Sequence, residues 1–393
     1  MNDTRSLKEQ AIGAVEELQG KLVELSHRIH ANPEIGFQEH KAVAWITEML
    51  EGAGFRIERG IGGIPTACLA TWGEGHPAVA FLAEYDALPG IGHGCGHNII
   101  AASAVGAALA TKAALGEPRG TVALVGTPAE EAGGAKIPLA RLGLFNQFDA
   151  VMMVHPGLRD SVETESLACV GLEVEFYGRA AHAAAEPEKG INALDALILS
   201  YNSINALRQH LRSDARIHGI ITNGGDAPNV IPSHTTASFY VRARHEDYLE
   251  ELKERVLMCF RGAAKATGAG LEHRWSDWRY ASLKNNRPMV EAFSANMEAL
   301  GRRPQPPDPA EGFGSTDTGN VSVVAPTIHP VLAIAHPNTL RHSPEFARAA
   351  VSPEGDKGLL DAAKAMAMTA IDIITDTNLA RRIMEDFKES LRA

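Results

Sequence analysis

Apolar positions recur at helical spacing from residue 7 to residue 31, and Asn32-Pro33 closes the run as a helix stop should. Two short apolar stretches follow, IPTACLATW and AVAFLAEYDALP, and the second predicts a buried strand that ends in a turn. After a glycine-rich turn, NIIAASAVGAALATKAAL predicts a buried helix. TVALVGTPAEE and FDAVMMVHP predict two more strands, each with carboxylate or imidazole groups at its C-terminal end. Strands alternating with helices predict an α/β fold with a largely parallel sheet, whose sites lie beyond the carboxyl ends of its strands.

From residue 168 the pattern changes. ACVGLEVEFYG reads as a strand, GINALDALILSYNSINALRQHL as a helix, ARIHGIITNG and HTTASFYVRA as two strands, HEDYLEELKERVLMCFRGAAKA as a helix and GLEHRWSDW as a strand. That β-α-β-β-α-β order is the ferredoxin-like unit, and it predicts a domain inserted over 168–282 between two parts of the first domain, 1–167 and 283–393. The returning part carries a helix around PMVEAFSANMEAL and two more near the C-terminus. RRPQPPDPAEG, 302–312, reads as a loop, and no internal repeat is seen.

A formal charge of −11 and 45% hydrophobic content describe a soluble globular chain, and 393 residues suffice for two domains with their own cores. The acidic balance lacks the basic stripe that phosphate binding needs, so no nucleic-acid partner is expected. The opening MNDTRSLKEQ is polar, and no apolar run is read as approaching the ~18 residues that span a bilayer, so no membrane partner is expected either. The expected location is cytoplasmic. Cys68, Cys95, Cys169 and Cys259 lack the spacing of a disulfide framework and are expected to stay thiols, which leaves Cys95 available as a ligand.

His30, His40 and most other histidines stand in no special context and read as surface or satisfied core residues. GHGCGHN, 92–98, differs, because His93, Cys95 and His97 are separated only by glycines. Gly92, Gly94 and Gly96 strip bulk from the backbone so that Cys95 and His97 can turn toward one point, where thiolate plus imidazole favours a zinc-like ion. A plain glycine turn is the competing reading. A G-x-G-x-x-G fingerprint beginning at Gly90 fails, since its third glycine falls at Cys95. In TPAEEAGG, Glu130 and Glu131 follow an apolar strand and precede two glycines, which places them at the functional edge of the sheet. A metal hydrolase needs one carboxylate to hold the ion and another to take a proton from water, and adjacent residues can divide these tasks. His155 ends the next strand in VMMVHP and is placed to join the same centre, and His342 in RHSPEF is the last candidate.

GHGCGHN, PAEEAGGAK, MMVHP, GRAAHAA, NVIP and RHSPEF, in this order and over nearly the whole chain, resemble the two-metal amidohydrolases. That family includes aminoacylases, glutamate-releasing carboxypeptidases, hippurate hydrolases and auxin-conjugate hydrolases. The resemblance implies a catalytic α/β domain, 1–167 and 283–393, with the ferredoxin-like insert at 168–282 serving as lid and dimerisation domain. It makes Cys95 a bridging ligand, with His97, Glu131, His155 and His342 completing two metal sites, and Glu130 the general base. Asp86 in AEYDALP matches a carboxylate that orients a ligand imidazole. Relatives with two carboxylate-bridged zincs begin that motif with a ligand histidine. Glu84 stands there instead, which selects the cysteine-bridged branch, with its aminobenzoyl-glutamate hydrolase and dipeptidase-like members. The implied cofactor is two divalent ions per subunit, drawn from manganese, zinc, cobalt and nickel.

By the same resemblance, His182 in GRAAHAA matches a histidine that reaches across a dimer interface to the oxyanion in the partner's site. Asn229 in NVIP and Arg242 in FYVRA match the pair that holds the substrate carboxylate, a task suited to the planar guanidinium fork. Ser315 and Asp317 in GFGSTDTGNVS resemble a substrate-side loop. The implied activity is hydrolysis of an amide bond in an N-acyl amino acid, an aminobenzoyl-glutamate-like conjugate or a dipeptide, by a homodimer or a higher oligomer. A non-catalytic binding protein on this fold would have little reason to keep Glu130 beside every ligand, and a structural metal protein would use a closed four-ligand site. N-acyl amino acid and dipeptide cleavage break the same kind of bond, and the sequence does not separate them.

Overall fold

Every residue of the run Ala78–Ala83 is buried, and its side chains divide by parity. Val79, Phe81 and Ala83 join one core cluster, and Ala78, Ala80 and Leu82 join another. Successive side chains of a strand point to opposite faces, so an all-apolar strand needs cover on both, as strands of a parallel sheet have.

The computed structural model describes residues 2–306 and 314–392, which fall into two units. The first unit runs to Glu165 and resumes at Leu283; the second is Ser166–Ser282, and Ser315 belongs with it. Residues 307–312 of the expected loop lie outside the described residues. In chain order the first unit holds α1 (Asn2–Ala31), α2 (His40–Gly52), β1 (Arg56–Arg59), β2 (Cys68–Gly73), β3 (Ala78–Ala83), α3 (His97–Leu115), β4 (Thr121–Gly126), α4 (Lys136–Arg141), β5 (Ala150–Met152) and β6 (His155–Gly157). The second unit supplies β7 (Ala168–Tyr177), α5 (Ala193–Leu207), β8 (Arg216–Asn223), β9 (His234–Ala243), α6 (Glu246–Thr267) and β10 (Gly270–Tyr280). The first unit then resumes with α7 (Arg287–Ala299), α8 (Thr318–Ser322), β11 (Thr327–Ile328), β12 (Val331–Ala333), α9 (Pro344–Ala349), α10 (Pro353–Thr375) and α11 (Thr377–Ser390).

The main sheet of the first unit has the order β1-β2-β4-β3-β5-β11. Its pairs β4-β3, β3-β5 and β5-β11 are parallel, while β2 runs antiparallel to both β1 and β4. This is the α/β class with a largely parallel sheet that the pattern predicts. One face is covered by α3 with α1 and α10, the other by Leu139, Phe145, Phe148 and Val321. The alanine-rich α3 lets its neighbours come close: at Gly106 a Cβ would stand 2.8 Å from Leu22 of α1 and 3.0 Å from Ala363 of α10. By length and composition α3 could cross a membrane, which corrects the reading that no apolar run approaches that length; 83% of its apolar window is buried inside the protein.

In the second unit the sheet order is β10-β7-β9-β8, antiparallel throughout, and the elements follow one another as β-α-β-β-α-β. Ala168, Val170, Leu172, Val174 and Phe176 of β7 alternate into one core with residues of α5 and α6. The residues between them face away, so this sheet has one apolar face only.

The turn after β4 departs from ordinary backbone. Ala129 is left-handed at φ 61°, and its N–H donates to Oε1 of the buried Glu39 at 2.8 Å. Burial, with the Asp86 carboxylate adding to it, pushes Glu39 up to about 7 from an ordinary value of 4.5. A carboxyl whose pKa is raised by folding makes the native state bind the proton more tightly, so stability falls as pH climbs through that window. Glu39→Gln keeps an acceptor oxygen and has no proton to lose. Urea midpoints between pH 4.5 and 7 should fall for the wild type and stay flatter for the variant, whereas parallel curves would mean that Glu39 does not titrate there.

Candidate active site

The adjacent parallel strands β4, β3 and β5 end at Gly126, Ala83 and Met152, and the chemical residues follow them. Glu130 and Glu131 come after β4, Glu84 and Asp86 after β3, and His155 after β5. This is the edge at which open α/β sheets bind ligands. His97 opens α3 behind Gly96, which is left-handed at φ 81° and so close to the next segment that a Cβ would stand 2.6 Å from Pro156. Glycine alone lets the GHGCGHN turn pack onto the residue after His155. His342 enters from the loop before α9. Its N–H donates to the Gly94 carbonyl at 3.1 Å, and its φ of 56° is a costly conformation for a side-chain-bearing residue, kept only where the surroundings enforce it.

The ligand atoms of Cys95, His97 and His155 lie within 4.8 Å of one another, as do those of Cys95, Glu131 and His342, and those of His97, Glu130 and Glu131. The structure therefore brings together the five expected ligands and the expected base, with Cys95 common to two of the groups. Of the histidines flanking Cys95 only His97 joins; the ring of buried His93 lies 5.9 Å from that of His30. Asp86 bonds Nδ1 of His97 at 2.8 Å and accepts the N–H of Glu131 at 3.0 Å. One carboxylate thus fixes the ring, leaves Nε2 for the cluster and ties two ligand segments together.

The donors fit a cation. Among the described residues, Nε2 of His97, Oε1 of Glu131 and Oε2 of Glu84 are buried without a hydrogen-bond partner. Yet His97 Nε2 stands 3.5 Å from Glu84 Oε2, and His342 Nε2 stands 3.3 Å from Glu131 Oε1. An unsatisfied buried polar atom costs roughly 1–3 kcal/mol, so a group of them at one place argues for a partner that they share. Sulfur, imidazole and carboxylate together suit a divalent transition ion.

Electrostatics separates the roles. Burial works against the Cys95 thiolate, but His155 and His97 outweigh it and bring the thiol down to about 5, which favours the form that binds metal. Burial also opposes charge on His97, and Asp86 and Cys95 overcome it. The neighbouring Cys95 sulfur and Glu131 carboxylate push His342 up to about 10. Burial, and after it Glu84 and Asp317, lifts Glu130 well above the usual carboxylate range. At Glu131 burial acts in the same direction, but His342 and His97 win and hold it low. Neighbouring carboxyls pushed in opposite directions are the pattern of one proton carrier and one permanent anion.

The second unit carries the remaining candidates. His182 is exposed, and its Nδ1 accepts the N–H groups of Ala184 at 3.3 Å and Ala185 at 3.1 Å, which places the ring proton on Nε2. Asn229 sits beside it, since the Ala183 N–H donates to the Asn229 carbonyl at 3.0 Å. Arg242, on β9, donates from Nη1 to Oγ of Ser315 at 3.3 Å, while its Nε is buried with no hydrogen-bond partner among the described residues. Asp317 corrects the sequence reading. It is fully buried in the first unit, Oδ1 accepting from Lys136 Nζ at 2.6 Å and Oδ2 from the Lys136 N–H at 3.1 Å, so the structure places it as the partner of a buried lysine and not on an open substrate-side loop. Lys136 is absent from the sequence-based candidates, although it closes the motif PAEEAGGAK and stands as a lone cation in the apolar stretch AKIPLA. Absent too is His329, buried edge-on to His155 with ring centroids 5.7 Å apart.

Residues 80–365 match the peptidase family M20/M25/M40. The Xaa-Arg dipeptidase of Mus musculus is 38% identical over 403 residues, spanning 98% of this chain and 93% of its own length. One of the p-aminobenzoyl-glutamate hydrolase subunits of Escherichia coli (strain K12) is 34% identical over 309 residues, spanning 73% of this chain and 64% of its own. Among solved structures, a Bacillus subtilis protein described as a dinuclear metal binding peptidase from the M20 family shares the fold, with a TM-score of 0.70 at 21% identity over 92% of this chain and 99% of that one. A match spanning most of the sequence, and a relative that covers nearly all of it, lead to one conclusion: the chain belongs to the peptidase family M20/M25/M40.

Proposed function

We propose that this protein is a metal-dependent amidohydrolase that cleaves an N-acyl amino acid, an aminobenzoyl-glutamate-like conjugate or a dipeptide and releases a free amino acid. The observation that carries this reading is the meeting of Cys95, His97, Glu131, His155 and His342 around one place, with Glu130 among them. These five side chains would hold two divalent ions, Cys95 belonging to two of the groups. Manganese, zinc, cobalt and nickel all accept such donors. When bound, the ions acidify a water and polarise the scissile carbonyl.

The chain's own groups do the rest. Glu130 takes the proton of the attacking water and passes it to the leaving nitrogen, a task that suits a carboxyl held above its usual range. Asp86 keeps the His97 ring in place. Arg242, with its unfilled Nε donor, would take the substrate carboxylate together with Asn229 and Ser315. His182, with its proton on Nε2, is in the form that donates to an oxyanion, and the reading gives it that task in the partner subunit of a homodimer in the cytoplasm.

The test of the reaction is amine release from dipeptides, N-acyl amino acids and aminobenzoyl-glutamate by enzyme loaded in turn with manganese, zinc, cobalt and nickel. Dipeptides ending in arginine come first, because the Xaa-Arg dipeptidase relative spans 98% of the chain. Turnover that disappears on chelation supports the proposal; a metal-loaded protein silent on the whole panel contradicts it. Glu130→Gln should lower kcat roughly 10²- to 10⁴-fold with both ions retained, and wild-type turnover in that variant would remove Glu130 from the mechanism. Cys95→Ser should lose metal by elemental analysis, and full occupancy in that variant would refute a bridging thiolate.

A further inference from the structure

Three carboxylates, Glu84, Glu130 and Asp317, also bring one oxygen each to within 4.8 Å of the others. None of the ligand groups just described contains Glu84 or Asp317. Beside them stands a cation that the protein supplies itself. Nζ of Lys136 is 2.6 Å from Oε1 of Glu84 and 2.6 Å from Oδ1 of Asp317. Lys136 and Asp317 are 0% exposed and Glu84 1%, so these charges lie away from bulk solvent.

The backbone is shaped to make this contact. Gly134, left-handed at φ 71°, lies so close to Asp317 that a Cβ there would stand 2.6 Å from both its Cβ and its Oδ2. The second glycine of EEAGG therefore lets the turn that carries Glu130 and Glu131 close onto Asp317. Asp317 then holds that turn through the N–H of Lys136 as well as through the ammonium. On the other side, Oε2 of Glu84 faces His97 Nε2 at 3.5 Å, so the same lysine is one residue removed from the ligand cluster.

Stability alone is a poor reason for such an arrangement. A buried ion pair is often no more stabilising than apolar side chains of the same volume, because removing the charges from water costs about as much as their attraction returns. What the pair does provide is fixed geometry. Without the ammonium, Glu84 and Asp317 would repel each other and Glu130, and the wall they form would have to rotate or take up protons.

Resting on the hydrolase reading above, we infer that Lys136 is a positioning residue: its ammonium stands as a permanent cation between Glu84 and Asp317 and sets the carboxyl of Glu130 toward the ligand cluster. Such a residue acts on the chemical step more than on substrate binding, and it leaves the ligand side chains themselves intact.

The experiment measures kcat, KM and metal content together for the full-length, metal-loaded wild type, Lys136→Met and Asp317→Asn. Lys136→Met should lose at least about 100-fold in kcat while KM stays within about threefold and both ions remain bound. Asp317→Asn, which keeps the shape and the ammonium but weakens one anchor, should lose roughly tenfold in kcat with the metals in place. If Lys136→Met does not fold, Lys136→Met/Asp317→Asn removes one charge of each sign and is judged by the same criteria alongside Asp317→Asn. A kcat near wild type in the folded, loaded variants overturns the inference, as does a loss that merely follows missing metal. If the wild type, with its ions bound, turns over nothing, the hydrolase reading falls and this inference with it; if the wild type is active and the variants match it, only the inference falls.

Discussion

Around the ends of β3, β4 and β5 the chain gathers Glu84, Asp86, Cys95, Glu130, Glu131 and Asp317, most of them removed from water. So much acidic functionality in a low-dielectric place is tolerable only if cations stand among it. Lys136 serves Glu84 and Asp317, and the imidazoles of His97, His155 and His342 lie against Cys95 and Glu131. Buried atoms left over on His97, Glu131 and Glu84 mark where further positive charge belongs. The local backbone follows this demand. Left-handed Ala129 and His342 and the closely packed Gly96 and Gly134 are departures from ordinary geometry, and each lies on a segment that carries one of these groups.

The parallel sheet makes that concentration possible. Three adjacent strands ending on one side deliver residues separated by many positions in the chain to one place, and the helix that starts at His97 adds its first residue there. β3, at the centre of these strands, is packed on both faces. A site that depends on contacts within a few ångströms requires a rigid support. Asp86 completes the support by holding a ligand ring and a ligand backbone with its two oxygens.

The second unit solves a different problem with a different sheet. Its antiparallel strands have one apolar face, covered by α5 and α6, and its candidate residues are presented from exposed turns and from β9. Arg242 and Ser315 are joined there although they are far apart in sequence, and His182 and Asn229 lie side by side through backbone pairing. Glu130 and the candidate ligands Cys95, His97, Glu131, His155 and His342 all belong to the first unit.

Sequence alone determined the strands and helices whose apolar character is pronounced, since the near-continuous apolar runs of β3, β4 and α3 and the whole β-α-β-β-α-β order are local consequences of side-chain patterning. It also exposed the ligands that sit in glycine-rich or strand-end motifs, where residue type and spacing already limit what the backbone can do. It did not reveal β1 or α4, which are four and six residues long, nor α2, whose 13 residues do carry a helical apolar face. Nor did it reveal that Asp317 turns inward to Lys136 or that Glu39 holds Ala129, because these partners are 181 and 90 positions apart. Those contacts come from long-range closure. A buried charge must find its counter-charge wherever the fold brings one, and no local spacing records that choice.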